Sequence, residues 1–160
     1  KTDKINRDAV TPVIEWMQTL NRKDAQLDVK FGAKTATDIT GFSLLGHGWE
    51  MASASGTGMQ LFFDQIPMFS QAQFLAKAWC FPGGSFDNAE YFGSHVEFDV
   101  NLTQEDQLLL FDPQTSGGLL FALPEEAAPS CEVEARKQGV PIWQIGKATD
   151  TGIIEVMCNY

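Results

Sequence analysis

Two short runs constrain this chain more than anything else in it: Ala36-Thr37-Asp38-Ile39-Thr40-Gly41-Phe42 and Leu110-Phe111-Asp112-Pro113-Gln114-Thr115-Ser116-Gly117-Gly118. Each sets hydroxyls, a carboxylate and glycines where an apolar segment ends. A regular element must stop there, and at such a stop backbone amides and short polar side chains can converge on an anion or a metal ion.

With 160 residues, 44% of them hydrophobic and 11% aromatic, the chain can bury enough surface for one core, and a single domain over residues 1–160 is expected. The net charge of −10, from 21 acidic against 11 basic residues, argues against nucleic acid as a partner, because binding a polyanion relies on clustered Lys and Arg. An anionic substrate would need a metal or a local positive site. Cys80, Cys131 and Cys158 are odd in number and far apart, with no C-x-x-C pair, which fits a reducing, cytoplasmic setting. None reads as a nucleophile, and Cys80, among aromatics at a helix end, reads as buried and inert. No apolar run approaches the roughly 18 residues of a membrane span. The N-terminus lacks the basic start and apolar middle of a signal peptide. It opens on Lys1-Thr2-Asp3 without Met, as a piece of a longer protein would.

Periodicity then gives the elements. Thr11-Pro12 reads as a cap and first position of a short helix ending near Asn21, with Val13, Ile14, Met17 and Leu20 on one face. A second helix is predicted from about Lys23 to Phe31, stopped by Gly32, and then a strand over Ala33 to Thr37. Ser43 to Ser55 is the clearest helix: Leu45, Trp49 and Ala52 form its core stripe, widened by Leu44 and Met51, while Ser43, His47 and Glu50 share the polar face. Met59 to Phe63 follows as a strand. Phe69, Ala72, Ala76 and Trp79 give another helical stripe, and Phe81 to His95, opening on Pro82-Gly83-Gly84, reads as the least regular stretch. A short strand is predicted near Val96 to Val100, a helix start at Thr103, a strand over Leu119 to Leu123, and a helix from Pro124 to Gly139 that carries Val133 inward. Pro141 to Ala148 and Ile153 to Met157 read as a hairpin. The alternation predicts an α+β domain with a mixed β-sheet covered by helices.

The chemistry of the runs leaves alternatives open. Asp38 or Thr40 could cap the following helix, or Asp38 could hold Mg²⁺, which is usually bound by one or two carboxylates together with phosphates and water. His47 could be an acid or base, or a hydrogen-bonded helix residue that packs beside Glu50 or against a neighbouring domain. The run Asp112 to Gly118 could face phosphate or form a rigid connection, since Pro113 fixes one angle and the glycines permit positive φ. It lacks the lysine and spacing of a Walker loop. Gly83-Gly84-Ser85 with Asn88 could be surface loop or part of the same site.

Taken together, Thr37 to Phe42, Phe111 to Gly118 and Gly83-Gly84-Ser85 with Asn88 resemble motifs of the C-terminal domain of the selenophosphate synthetases, the selenide, water dikinases. That group belongs to the superfamily that includes the aminoimidazole ribonucleotide synthetases. The resemblance implies the superfamily's C-terminal domain fold and a reaction that makes selenophosphate from selenide, ATP and water, releasing AMP and phosphate. It implies Mg²⁺, with Asp38 as this domain's metal ligand, and places Thr37, Thr40, Gly41, Asn88, Thr115, Ser116, Gly117 and Gly118 near phosphate or substrate. His47, within Leu44-Leu45-Gly46-His47, becomes a candidate for a domain interface. The chain departs from the pattern at Ser43, where many members carry Gly. The family's reactive Cys or selenocysteine, its essential Lys and most nucleotide contacts belong to an N-terminal half that these residues do not include. No catalytic residue is therefore expected here, the expected partners are that N-terminal domain and a second copy of the full-length protein, and the fragment alone should be inactive. Alternatives are another ATP-dependent synthetase or kinase of the superfamily, or a non-catalytic acidic interaction domain.

Overall fold

The structure is a computed structural model that describes residues 7–158. In chain order its elements are α1 (Arg7–Gln18), α2 (Arg22–Lys30), β1 (Thr35–Asp38), α3 (Ser43–Ala54), β2 (Gly58–Phe62), α4 (Ser70–Lys77) and α5 (Gly83–Phe92). There follow β3 (Val96–Phe98), α6 (Gln104–Leu110), β4 (Leu119–Ala122), α7 (Ala128–Gln138), β5 (Gly146–Thr149) and β6 (Ile154–Met157). The α+β class read from the sequence is the one observed. Its strands divide between a four-stranded mixed sheet, ordered β3-β6-β2-β5, and a two-stranded antiparallel ribbon of β1 and β4.

The mixed sheet and α3 enclose the main core. Leu45, Met51 and Ala52 of the helix pack with Met59, Leu61, Ile154 and Val156 of the strands. Leu45, Leu61, Ile154 and Val156 are wholly buried, each contributing on the order of 2 kcal/mol. A second cluster, Leu27 with Cys131, Ala135 and Val140, fastens α2 to α7, and Lys30 Nζ meets Glu134 Oε1 at 2.7 Å across the same pair. The ribbon carries both polar connections: Asp38 is opposite Leu119 in its register, so one run leaves the ribbon where the other enters it.

Several elements differ from the sequence reading. Residues 83–92 form α5 instead of a loop, because Ser85, Asn88 and Phe92 are buried and anchor a segment that its glycines would leave unformed alone. The expected hairpin does not form: β2 lies between β5 and β6, antiparallel to the first and parallel to the second. Helix α7 turns Cys131 and Ala135 inward and leaves Val133 half exposed. Helix α1 starts before Thr11, holds Pro12 inside it, and leaves Ile14, Met17 and Leu20 exposed. In α4 only Ala76 of the expected stripe is buried, and Cys80 beyond it is exposed. Cys131 is buried and Cys158 half-buried, and burial pushes both thiols up, away from the reactive thiolate. Thr103 does cap α6, in a reciprocal capping box with Asp106.

Ser43 is the position that the polar-face reading missed. It is fully buried and enters α3 at φ 68°, in the left-handed region where a side chain is strained. Its hydroxyl accepts from the Gly46 amide at 3.5 Å, a long and weak bond that offsets little of that strain. Glycine at this point would adopt the same angle freely. Ser43→Gly is expected to stabilise the fold by about 0.5–1 kcal/mol, and Ser43→Ala, which keeps the strain and loses the bond, to destabilise it. Urea unfolding of the two variants against the parent chain measures both, and a destabilised Ser43→Gly would contradict the strain argument.

Candidate functional site

The ribbon brings the two runs into main-chain contact. Ile39 N–H donates to Gly118 O at 2.9 Å, Gly117 N–H to Ile39 O at 2.8 Å and Gln114 N–H to Thr40 O at 3.0 Å. Gly117 is required by this approach: a Cβ there would lie 2.8 Å from Ile39 O and 3.1 Å from Ile39 Cβ. Gly118 has φ 123°, which an L side chain rarely adopts.

Helix α5 joins the third motif to the other two. Asn88 is buried, and its side-chain amide donates to Gly41 O at 3.0 Å and to Phe111 O at 3.1 Å, one carbonyl from each run. Ser85 Oγ donates to Asp112 Oδ1 at 3.2 Å, and Gln114 Nε2 to Asp112 Oδ2 at 2.9 Å. Gly84 leaves room for Pro113, whose Cγ would be 3.1 Å from a Cβ. Burial pushes the Asp112 carboxyl above its usual range, and the bonds from Ser85 and Gln114 partly offset this.

Around the first run, the helix-cap alternative is not realised. Phe42 occupies the N-cap of α3 and no side chain caps it. His47, one turn into the helix, takes part of that role: its Nε2 accepts from Phe42 N–H at 3.2 Å and lies 3.0 Å from Thr40 Oγ1, and its Nδ1 lies 3.1 Å from Glu50 Oε2. Asp38 ends β1 exposed, and its carboxylate takes no partner among the described residues. Thr37 is half-buried, with its hydroxyl 3.4 Å from Asp38 O, and Gly41 is exposed with its carbonyl held by Asn88. Thr115 is exposed and Ser116 half-buried, and neither hydroxyl has a partner among the described residues.

Thus every residue singled out from the sequence lies on or beside one hydrogen-bonded unit. Glu50 reads from the sequence as a neighbour of His47, and Ser85 and Gln114 lie within the motif runs; what the sequence does not show is that Ser85 and Gln114 both bond the Asp112 carboxylate. Among the described residues no three His, Cys, Asp or Glu side chains are grouped to hold a metal ion, and no helix is long and apolar enough to cross a membrane.

The family described as AIR synthase related protein, C-terminal domain, matches residues 3–159. The chain belongs to that family. This AIR synthase-related domain is similar to curated proteins named selenide, water dikinase. It is 40% identical to that of Carboxydothermus hydrogenoformans over 137 residues, which is 86% of this chain and 40% of the relative. It is 42% identical to that of Caldanaerobacter subterraneus over 117 residues, 72% of this chain and 33% of the relative. With that of Pseudomonas aeruginosa it shares 34% identity over 150 residues, 94% of this chain and 43% of the relative. The domain therefore spans about two fifths of the length of the curated relatives it matches.

Two variants test the unit. Asn88→Asp should destabilise the domain by about 3 kcal/mol, since a carboxylate would oppose two carbonyls that now accept hydrogen bonds, the Phe111 one buried. Equal unfolding midpoints for the variant and the parent chain would refute the role of Asn88. Because the folded Asp112 value is raised, its ionised form costs stability at neutral pH, and that cost goes as pH falls through the raised value. Ser85→Ala should accordingly cost about 1 kcal/mol at pH 7, at the lower end for a bond to a charged group that is partly solvated. Nearer pH 4 the loss should shrink, which paired denaturation curves at the two pH values would show.

Proposed function

We propose that this domain is the C-terminal part of a selenide, water dikinase, and that it closes one side of the active site and supplies Asp38 as a Mg²⁺ ligand. The observation that carries the reading is the Asp38 carboxylate itself, exposed and unpartnered at the end of β1 and beside the unit that joins all three motifs. A structural aspartate at such a turn would be expected to cap the helix or meet a cation, and Asp38 does neither.

The donor chemistry fits the ion. A free carboxylate is a hard oxygen ligand, and Mg²⁺ takes one or two of these with phosphates and water completing its shell. One carboxylate is a partial ligand set, so the remainder would come from ATP and from the N-terminal domain that the similarity to longer relatives calls for. Bound there, the ion would supply neutralisation of phosphate charge during phosphoryl transfer. This chain's own groups would do the rest: Asn88 and the main-chain bonds hold the turns, and the Thr115 and Ser116 hydroxyls remain able to donate to a phosphate. A domain of net charge −10 attracts a polyphosphate poorly unaided, which is a further reason for a cation. ATP and selenide as substrates, a homodimeric full-length protein and a cytoplasmic setting belong to the same proposal.

The deciding experiment is selenide-dependent conversion of ATP to AMP by the full-length gene product, with and without Asp38→Asn. The variant should keep its thermal stability within the ±0.5 kcal/mol of a neutral surface change, because the carboxylate bonds to nothing in the fold. Its rate should fall by orders of magnitude, with partial recovery at raised Mg²⁺. A folded variant with near-parental turnover would remove Asp38 from the site.

A further inference from the structure

We infer that α1 is a hinged strap that turns about residues 19–21 and seats its apolar face in the groove between the ribbon and the mixed sheet, behind the 116–118 turn. The helix is strongly two-sided. At 100° per residue, Val10, Val13, Ile14, Trp16 and Met17 fall on one side, and Thr11, Glu15 and Gln18 on the other. A helix built this way buries its apolar side, yet Val10, Ile14, Trp16 and Met17 are exposed and Val13 is only half-buried. Twelve residues with Pro12 among them do not hold a helix in water by local propensity, so that side needs a seat.

The groove supplies one. Its volume is about 2200 Å³, and it is lined by Leu120 and Phe121 of β4 and by Met59 and Leu61 of the mixed sheet. Small-molecule pockets are smaller, roughly 300–1000 Å³. A 12-residue helix is a rod about 18 Å long and about 10–12 Å across, which occupies roughly 1400–2000 Å³. Strand β4 points the same way: Leu119, Leu120, Phe121 and Ala122 have the composition of a strand covered on both faces, and each is only half-buried. Val13, Trp16 and Leu20 already border the groove, where the rings of Trp16 and Trp143 lie 6.0 Å apart. Leu27, packed with Cys131, Ala135 and Val140, fixes α2, so a turn at residues 19–21 moves α1 alone. That short tether keeps α1 at the groove at an effective concentration on the order of millimolar, which favours it over a second copy. Ser116, Gly117 and Gly118 border the same groove, so the seated helix backs the turn that bonds Ile39 and ties its own position to the candidate site. This holds whether or not Asp38 binds a cation.

Hydrogen exchange of this chain, read by mass spectrometry at two protein concentrations, tests the strap. Amides of residues 13–18 should exchange about 100-fold more slowly than an unstructured chain at both concentrations. Exchange near the unstructured rate would overturn the proposal without any variant. Protection that grows with concentration, together with a dimer in sedimentation, would give the face to a second copy and overturn it equally. In the double variant Ile14→Ser, Met17→Ser, α1 should lose about ten-fold or more of its protection, and residues 116–122 should exchange faster, while β2 and β6 keep theirs and show that the core is folded. Glu15→Gln, on the polar side, should change none of these. A double variant that exchanges as the parent chain does would show that Ile14 and Met17 stay in water, and the strap would fall.

Discussion

The side-chain amide of Asn88 is the interaction on which the geometry of the site depends. Its two hydrogens meet two carbonyls, Gly41 O and Phe111 O, that belong to connections far apart in sequence. The bond to Phe111 O is buried and that to Gly41 O partly so, and removing the amide would leave the Phe111 carbonyl unsatisfied as well as unlinking the two runs. Other contacts follow from that closure. Gly117 can touch Ile39 only because it lacks a Cβ, and Gln114 reaches both Thr40 O and the Asp112 carboxylate only once the second run lies beside the first. One helix, α5, thus acts as a brace between two turns, and its own start is secured by the Ser85 bond to Asp112.

That dependence explains which parts of the structure were legible in the sequence. Helices α2, α3 and α6 could be read because their signals are local: an apolar stripe at helical spacing, a stop at glycine, or the Thr103 and Asp106 capping box. Helix α5 could not, since Gly83 and Gly84 weaken a helix and the residues that rescue it do so through partners on other elements. The tail failed for a related reason. Adjacent strands around a turn suggest a hairpin, but β2 occupies the place between β5 and β6, and parallel pairing with a distant strand leaves no mark in the intervening sequence. In α7, Cys131 and Ala135 are buried while the larger Val133 is not, so size was a poor guide to which face packs against α2.

The candidate site was legible as a group of neighbouring residues, not as a set of roles. Residue types marked Asp38, Thr40, His47, Asn88 and the 115–118 turn, and the fold gathers their neighbourhoods into one unit. Roles depend on where hydrogens point, which composition does not encode. Asn88, offered by sequence as a residue near phosphate, commits both amide protons to carbonyls. Ser43 was placed on a polar face and instead lies buried in a left-handed conformation that glycine accepts freely. The consequence of Ser43 here is a strained residue at the entry to α3, next to the Phe42 amide that donates to His47.

Electrostatics sets the remaining constraint. The runs 36–42, 83–88 and 110–118 contain Asp38, Asp87 and Asp112 but no Lys or Arg. Asp112 is turned inward to Ser85 and Gln114, where burial favours its neutral form. The Thr115 and Ser116 hydroxyls have no partner among the described residues, and neutral donors in water hold a polyphosphate weakly. On the proposed reading a divalent cation closes that gap. A single exposed carboxylate gives the cation a foothold without satisfying it, which favours binding only when a second surface brings further ligands. An incomplete site of this kind makes ion and nucleotide binding conditional on the approach of that surface, so a domain with this arrangement would couple closure of the site to its chemistry without any charged group of its own entering the reaction.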